Sequence, residues 1–283
     1  MRKIVTGRRA LLALAFVAAI TWAALRGLPD GLAEGRLHVW FLDVGQGDAI
    51  FIQTPDGRQI LVDGGPSPSA LAAQLGEVMP FWDRSLDMVI LTHPDADHSA
   101  GLIPLFDRFS VASALDALAP GDPAGAAWVA ATANASRQSI TRGTQIRVGG
   151  ALLTALNPAA VPAGETGNND SIVLRLDYGA ASLLLTGDAE AEAEQAMLAA
   201  GLPLTADVLK IGHHGSDAGT TGEFLAAVQP QLAVISVGAE NRFGHPAAGL
   251  LARLSGIDVL RTDQRGRIEL VSDGEGWTAR TAR

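Results

Sequence analysis

The residues Leu91-Thr92-His93-Pro94-Asp95-Ala96-Asp97-His98-Ser99-Ala100-Gly101 carry the most informative pattern in the chain. Two imidazoles and two carboxylates lie within six residues, directly after an apolar run at 86–92 that predicts a buried strand. Pro94 excludes a regular helix across the turn. Four metal-ligand side chains this close together are costly to pack unless they bind something. The stretch therefore predicts a turn at a strand end that offers ligands to two adjacent metal ions.

The composition narrows the classes of protein and of site. The 283 residues are 48% hydrophobic and 18% charged, which argues against disorder. Cysteine is absent, which excludes disulfides and thiolate chemistry, so any metal must be held by His, Asp, Glu or backbone. Aromatic residues make up 5%, which is thin for a platform that stacks single-stranded bases.

The net charge is unevenly distributed. Residues 1–35 hold five basic and two acidic side chains, which leaves 16 basic and 28 acidic ones, and a charge of −12, over residues 36–283. Such an acidic body weighs against a broad nucleic-acid-binding face. It does not exclude a nuclease, because a metal pair can dominate the local charge.

Residues 1–35 are expected to be an N-terminal signal or membrane anchor plus a linker. Arg2, Lys3, Arg8 and Arg9 precede an uncharged stretch at 10–25, about 24 Å long as a helix and shorter than the ~20 residues of a full span. The basic flank favours a cytoplasmic amino end and an exported or membrane-anchored body that faces the periplasm or the extracellular side. Cleavage and retention of the segment both stay open.

Residues 36–283 are predicted to form one globular domain. Short strand patterns fall in two blocks, with helical patterns between them, which indicates two mixed sheets packed face to face with helices outside. Ser99 is expected to cap a helix that runs to about residue 106. Residues 107–145 give alternating helix and loop signals and no clear assignment.

The opening stretch resembles the H-x-[HD]-x-D-H signature of the metallo-β-lactamase superfamily, and further motifs follow in that family's order. The whole set is most similar to the hydrolase domain of ComEC-type competence channel proteins. The resemblance implies a four-layer αββα sandwich, an α/β fold. The motifs besides the first are Phe41-Leu42-Asp43-Val44-Gly45-Gln46-Gly47-Asp48-Ala49, Leu61-Val62-Asp63-Gly64-Gly65, Leu185-Thr186-Gly187-Asp188, Lys210-Ile211-Gly212-His213-His214-Gly215-Ser216, Ile235-Ser236-Val237-Gly238 and Phe243-Gly244-His245-Pro246.

The resemblance implies two divalent metal ions and a ligand set. One ion would be served by His93 and Asp95 and the other by Asp97 and His98, with Asp188 bridging both. Either His213 or His214 would supply the last imidazole, and the other would contact substrate or orient a ligand.

Two departures from the family pattern concern the first ion. Asp95 stands where a second His is commoner, and no His lies between Ser99 and Gly212. Asn168, Asn169 or Asp170 is expected to fill the gap. Oxygen-rich sites favour harder ions, so manganese or magnesium competes with zinc there.

Several residues outside the ligand set are candidates for supporting roles. Asp63, rather than Asp43, is expected to orient a metal-ligating His, with a plain turn carboxylate as the alternative. Catalytic roles are expected for Asp97, His214, His245 and Lys210. Lys210 would contact a phosphate oxygen or simply lie on a surface strand, and His245 would contact a leaving group or substrate phosphate, or else cap a helix.

The predicted function is phosphodiester hydrolysis, as a phosphodiesterase or nuclease that acts on DNA and is linked to DNA uptake. A two-metal centre suits in-line attack on a phosphodiester. The alternatives are hydrolysis of a small phosphodiester or other ester outside DNA metabolism, and a metal-poor binding module that partners a membrane channel. Serine catalysis by Ser216 is disfavoured because no base and orienting group accompany it.

Overall fold

In the computed structural model, which describes residues 35–283, two mixed β-sheets pack face to face with helices on both outer faces. This confirms the predicted αββα sandwich. The strands are β1 (Leu37–Phe41), β2 (Ile50–Gln53), β3 (Gln59–Val62), β4 (Ser85–Ile90), β5 (Ser110–Asp116), β6 (Ser136–Ser139), β7 (Gln145–Val148), β8 (Ala151–Asn157), β9 (Val173–Tyr178), β10 (Ala181–Leu185), β11 (Val208–Lys210), β12 (Leu232–Ile235), β13 (Asp258–Arg261), β14 (Ile268–Ser272) and β15 (Thr278–Thr281).

The helices are mostly short and lie between the strands. They are α1 (Pro68–Val78), α2 (Ala96–Ser99), α3 (Ala126–Ala131), α4 (Ala191–Ala199), α5 (Gly222–Val228), α6 (Ala248–Arg253) and α7 (Thr262–Arg265). Single 3-10 turns cover Ile103–Asp107, Thr132–Asn134, Asn168–Asp170 and Gly212–Gly215.

Each sheet joins an antiparallel half to a parallel half. The first sheet has the order β15-β14-β1-β2-β3-β4-β5-β6, and the second has the order β13-β12-β11-β10-β9-β8-β7. Strands β3 to β6 run parallel in the first sheet and β10 to β13 in the second. The loops that follow β4, β10, β11 and β12 therefore leave their sheets at carboxyl ends, where α/β folds place ligand sites.

Alternation along the strands builds three apolar layers. In β1, Leu37, Val39 and Phe41 face the core between the sheets, while Trp40 faces the helix α1 side. The core on the outer side of the second sheet is formed with α4, α5 and α6. At ~25 cal/mol per Å² of buried apolar area, these layers are the main favourable contribution to folding.

The helix expected to begin at Ser99 does not form. Helix α2 ends at Ser99, and the Ser99 hydroxyl donates to the Pro94 carbonyl oxygen at 2.9 Å. Gly101 then passes so close to Gly64 that a Cβ at residue 101 would lie 1.9 Å from the Gly64 carbonyl oxygen. The chain turns at this contact and continues as a 3-10 turn, so the prediction of a helix from Ser99 to residue 106 is wrong.

The unassigned stretch 107–145 completes the first sheet. It supplies β5, which lies between β4 and β6, and helix α3, whose Trp128 is buried and donates to Asp116 at 2.8 Å. The predicted signal or anchor segment lies outside the described residues. Across residues 35–283, none of the helices has the length and apolarity needed to cross a membrane.

Candidate metal centre

The candidate site lies at one end of the sandwich, where loops from both sheets meet. The loop after β4 supplies the His93–His98 cluster, the loop after β10 supplies Asp188, and the loop after β11 supplies His213 and His214. His213 and His214 both have left-handed backbone angles, with φ of 47° and 52°. This sharp turn points the two adjacent imidazoles in different directions.

His98 is held by Asp63. The His98 Nδ1 lies 2.8 Å from Asp63 Oδ2, and both side chains are buried. Asp63 also accepts hydrogen bonds from the Thr92 backbone N–H at 2.8 Å and from the Thr92 hydroxyl at 2.7 Å. With Nδ1 donating to the carboxylate, the neutral His98 ring leaves the Nε2 lone pair for a metal. This is the orienting role predicted for Asp63.

His214 is oriented in the same way by a different partner. Its Nδ1 donates to the Ser236 carbonyl oxygen at 3.1 Å and lies 3.5 Å from Asp48 Oδ1. Its Nε2 therefore faces the His98 Nε2, at 3.3 Å. The structure thus brings His214, and not His213, into the ligand cluster.

Three ligand atoms, from His98, His214 and Asp188, lie within 3.3 Å of one another, and Asp97 lies beside them. Asp188 Oδ2 lies 3.2 Å from His98 Nε2 and 3.3 Å from His214 Nε2, and Asp97 Oδ2 lies 3.2 Å from His214 Nε2. A tetrahedral ion with bonds of about 2.0–2.1 Å separates its ligand atoms by about 3.3–3.4 Å. The spacing of these atoms therefore fits one divalent ion.

A second group of ligand atoms lies beside the first. The His93 Nδ1 lies 3.1 Å from the Thr92 hydroxyl, and its Nε2 is buried without a hydrogen-bond partner, 3.7 Å from Asp95 Oδ2. Asp188 Oδ1 is also buried and unpartnered. Buried polar atoms without partners are costly, so these atoms fit a second ion that Asp188 would share.

Asn168, Asn169 and Asp170, expected to complete the site of the ion served by His93 and Asp95, make hydrogen bonds elsewhere. The Asn169 side-chain oxygen accepts from the backbone N–H groups of Glu190 and Ala193, and the Asp170 carboxylate accepts from the Gly167 N–H. Asn168 donates to Glu190 Oε1 at 3.2 Å. These side chains thus take part in local hydrogen bonds at a turn and a helix start, and their role as ligands stays a prediction.

His213 and His245 line the side of the centre. The His213 Nδ1 lies 2.8 Å from Glu190 Oε1, and its Nε2 lies 3.9 Å from Asp188 Oδ2. The His245 ring lies 5.8 Å from the His213 ring, and its Nδ1 is buried without a hydrogen-bond partner. Burial, together with His213 and His214, lowers the pKa of His245, so its ring is neutral at pH 7.

Lys210 lies beneath the centre and is fully buried. Its ammonium group pairs with Asp48, donates to the Gly187 carbonyl oxygen at 2.9 Å, and lies 3.9 Å from Asp188 Oδ1. A surface strand position, one of the two alternatives for Lys210, is therefore wrong. The predicted direct contact with a phosphate oxygen is also contradicted, because the buried ammonium group already has these partners.

The buried charges strongly perturb one another. Burial alone would lower the pKa of His98, but Asp188 and Asp63 raise it to about 10. Burial is likewise outweighed at His214, whose pKa Asp188 raises well above the ordinary value. Burial would raise the pKa of Asp48, yet Lys210 and His214 lower it to about 2. Without a metal, two protonated imidazoles thus offset the carboxylates.

Sequence reasoning assigned no role to Asp48, Glu190 or Ser236. Asp48 brings a donor atom within 4.8 Å of those of His98, Asp188 and His214. The neighbouring glycine was a signal of this in the sequence. In the structure, a Cβ at Gly47 would lie 2.2 Å from the Asp97 carbonyl oxygen, so only glycine lets this turn approach the ligand loop. No sequence pattern points to Glu190 or Ser236, since Glu190 contacts His213 and Ser236 contacts His214, each more than 20 residues away in the sequence.

The fold and the cluster together define a metal-dependent hydrolase of the αββα class, and this fold implies divalent metal ions. The chain belongs to the Metallo-beta-lactamase superfamily, whose sequence model matches residues 42–239.

Similar proteins include both curated sequences and solved structures. ComE operon protein 3 of Bacillus subtilis (strain 168) is 34% identical over 259 residues, which cover 84% of this chain and 33% of that protein. Competence protein ComA of Neisseria gonorrhoeae is 29% identical over 244 residues, covering 85% and 33%. The chain thus spans about one third of the length of these relatives. The metallo-beta-lactamase fold protein YhfI from Bacillus subtilis shares the fold, with a TM-score of 0.55 at 16% identity, over 80% of this chain and 95% of that one.

Proposed function

We propose that this protein is a phosphodiesterase, and specifically a nuclease, that works through a dinuclear metal centre and acts in DNA uptake. The observation that carries the proposal is the convergence of the His98, Asp188 and His214 donor atoms at 3.2–3.3 Å from one another, with Asp97 Oδ2 3.2 Å from His214 Nε2. The competence protein among its relatives supports the link to DNA uptake.

The proposed ligands divide into two unequal positions. Asp97, His98 and His214 would hold one ion, His93 and Asp95 would hold the other, and Asp188 would serve both. Asp97 is preferred to Asp48 as a ligand because the Asp48 carboxylate is already paired with Lys210. The first position, with two imidazoles, suits zinc, and the oxygen-richer second position suits manganese or magnesium.

The protein side chains prepare this centre for hydrolysis. When bound, the two ions would lower the pKa of a water molecule and offset charge on the phosphate. Asp63 and Ser236 keep the His98 and His214 rings in orientation, and Lys210 holds Asp48 against the underside. His213, held by Glu190 through its Nδ1, and neutral His245 line one side of the centre, and the His245 ring can donate a hydrogen bond to a phosphate or leaving-group oxygen.

The proposed setting is outside the cytoplasm. The basic, then apolar, sequence of residues 1–25 supports an exported or membrane-anchored body. A membrane channel is the proposed partner, and the similarity to a competence protein supports it.

A substrate panel tests the function. Purified protein is offered single- and double-stranded DNA, RNA, bis-nitrophenyl phosphate and a chromogenic cephalosporin, each with manganese, zinc or magnesium. We expect hydrolysis of DNA and of the phosphate diester, and none of the cephalosporin. The double variant Asp97→Ala/Asp188→Ala should lose detectable hydrolysis while keeping its circular dichroism spectrum.

The matched control is Asp170→Ala, which removes a nearby carboxylate that only accepts from the Gly167 N–H. This variant should keep its hydrolytic activity. Undiminished hydrolysis in the Asp97→Ala/Asp188→Ala protein would refute the assignment of the centre.

A second candidate function is hydrolysis of a small phosphodiester, which the charge of −12 over residues 36–283 favours. The same panel separates the two, since such an enzyme would cleave bis-nitrophenyl phosphate and leave every nucleic acid intact. A protein that binds metal and cleaves nothing would be the non-catalytic binding module.

A further inference from the structure

The loop at residues 238–246 connects β12 to the start of α6 and borders the metal centre. Asn241 fixes its shape from within: its side-chain nitrogen donates to the carbonyl oxygens of Gly238 and His245, both at 2.8 Å. The Asn241 side-chain oxygen accepts from the N–H groups of Phe243 and His245 at 3.2 and 3.0 Å. The loop is therefore a preformed platform whose tip is Phe243.

Phe243 keeps 58% of its surface exposed, although it lies beside a polar site. Its ring lies 5.8 Å from the His245 ring, with 27° between the planes. The Arg242 guanidinium group lies 5.7 Å from the Phe243 centroid, and Arg242 makes no ion pair with any residue in the described range. Within residues 35–283, an open aromatic ring thus lies beside a cation that has no ion-pair partner there.

These residues continue directly from the metal ligands. His213 Nε2 lies 3.9 Å from Asp188 Oδ2, the His213 ring lies 5.8 Å from that of His245, and His245 in turn lies 5.8 Å from Phe243. A nucleoside that adjoins a phosphodiester at the centre and passes His213 and His245 would therefore meet Phe243.

We infer that Phe243 and Arg242 form a nucleotide subsite, in which Phe243 stacks the base beside the cleaved phosphodiester and Arg242 contacts the next phosphate. The inference rests on the proposed phosphodiesterase function and narrows its substrate to a single-stranded nucleic acid. A base in a duplex is already stacked on both faces, whereas a base in a single strand offers its face to a ring. The Arg242 guanidinium group can contact a second phosphate. A nucleic-acid strand supplies this phosphate and a single nucleoside ester does not, so Arg242 favours a strand as substrate.

A subsite with a single aromatic ring, that of Phe243, also agrees with the low aromatic content of the chain. A chain with 5% aromatic residues cannot build an extended stacking surface, but a subsite for one base requires only one exposed ring. In an acidic body, a single arginine gives few phosphate contacts, so binding should depend weakly on salt.

The test is steady-state hydrolysis of oligothymidylate and of a matched strand that is abasic throughout. Loss of one stacked base corresponds to a change of about 5- to 150-fold. Phe243→Ala should therefore raise KM for oligothymidylate by about that factor with little change in kcat, and bring the two substrates' kcat/KM values together. Phe243→Trp should restore the wild-type KM, and Arg242→Ala should raise KM and flatten its salt dependence.

Phe81→Ala is the matched control, because Phe81 is an aromatic residue with 76% exposure that precedes β4, at the strand end away from the metal centre. It should leave both KM values unchanged. Oligothymidylate hydrolysis that is unaffected by Phe243→Ala, or wild-type protein that cleaves both strands equally well, would overturn the inference and leave the phosphodiesterase assignment standing. Faster cleavage of a thymidine dinucleotide than of the strand would overturn the strand assignment. Absence of all phosphodiester hydrolysis would instead remove the proposed function itself.

Discussion

Asp63 Oδ2 and His98 Nδ1 lie 2.8 Å apart, and both side chains are sealed from solvent. The Asp63 carboxylate also binds two Thr92 donors, so it cannot turn away without losing three hydrogen bonds. Asp63 itself has a φ of 57°, a backbone region that Asp and Asn tolerate better than most residues. Because Asp63 is held in place, it also fixes the direction in which the His98 Nε2 points.

Asp63→Asn should weaken metal binding by about 10- to 100-fold, because the amide removes the charge that holds the His98 ring. The substitution keeps the side-chain shape and suits the positive φ. Competition with a chelating dye measures the affinity. Asp43→Asn is the control, since Asp43 pairs with Arg283 at the surface, and its affinity should equal that of the wild type. Equal affinities for Asp63→Asn and wild type would contradict the orienting role.

Lys210→Met should destabilise the protein by about 3–5 kcal/mol, because it leaves the buried Asp48 carboxylate without its ammonium partner. Urea unfolding measures the change. Adding Asp48→Asn to Lys210→Met removes the stranded charge and should recover most of the stability. If Lys210→Met cost less than about 1 kcal/mol, the ion pair would not be structural.

The metal-free protein should become less stable as the pH rises from 7 to 10. The pKa of His98 is raised to about 10 and that of His214 is also raised, against about 6.5 in an unfolded chain. A raised pKa stabilises the folded state fully below pH 6.5, and this contribution is lost as the pH approaches the folded value. Urea unfolding of chelator-treated protein at several pH values measures the decline.

Metal-loaded protein should not show this decline, because bound ions replace the imidazole protons. For the same reason, metal affinity should increase with pH over this range. A metal-free protein whose stability rises from pH 7 to 10 would contradict the proposed protonation of the two histidines.

Metal titration should show one tight and one weaker site. The tight site has three donor atoms within 3.3 Å of one another and Asp97 beside them, whereas the second is assigned only His93, Asp95 and the shared Asp188. Calorimetry should resolve two steps, with His93→Ala removing the weaker step and His214→Ala removing the tighter one. A protein that binds one zinc ion tightly and no second ion would contradict the dinuclear centre.

The sequence was sufficient for elements whose pattern is strong on its own. Apolar strands such as β4 and β10, each followed by polar ligand-type residues, predicted both the sheets and the loops of the site. Strand β6 (SRQS) is exposed at all four positions, and among the described strands it pairs only with β5, so its residues carry no apolar alternation. Its existence depends on the sheet edge that it joins.

The parts of the site that were missed depend on distant contacts. Lys210 looks like an ordinary charged strand residue until the loop at Asp48, far earlier in the chain, is brought against it. The choice between His213 and His214 was decided by left-handed backbone angles and by the Ser236 carbonyl, neither of which is visible in the HHGS motif. The sequence does not show that the Asn169 side-chain oxygen accepts hydrogen bonds from backbone N–H groups at the start of α4.

The donor atoms come from both halves of the polypeptide, with His93, Asp97 and His98 early and Asp188 and His214 late. During synthesis, the early donors emerge about a hundred residues before their counterparts. The emerging chain therefore presents an incomplete chelator, and full affinity arises only when the two sheets have docked. Binding of one ion by His98, Asp188 and His214 together would therefore require that the two sheets have already docked.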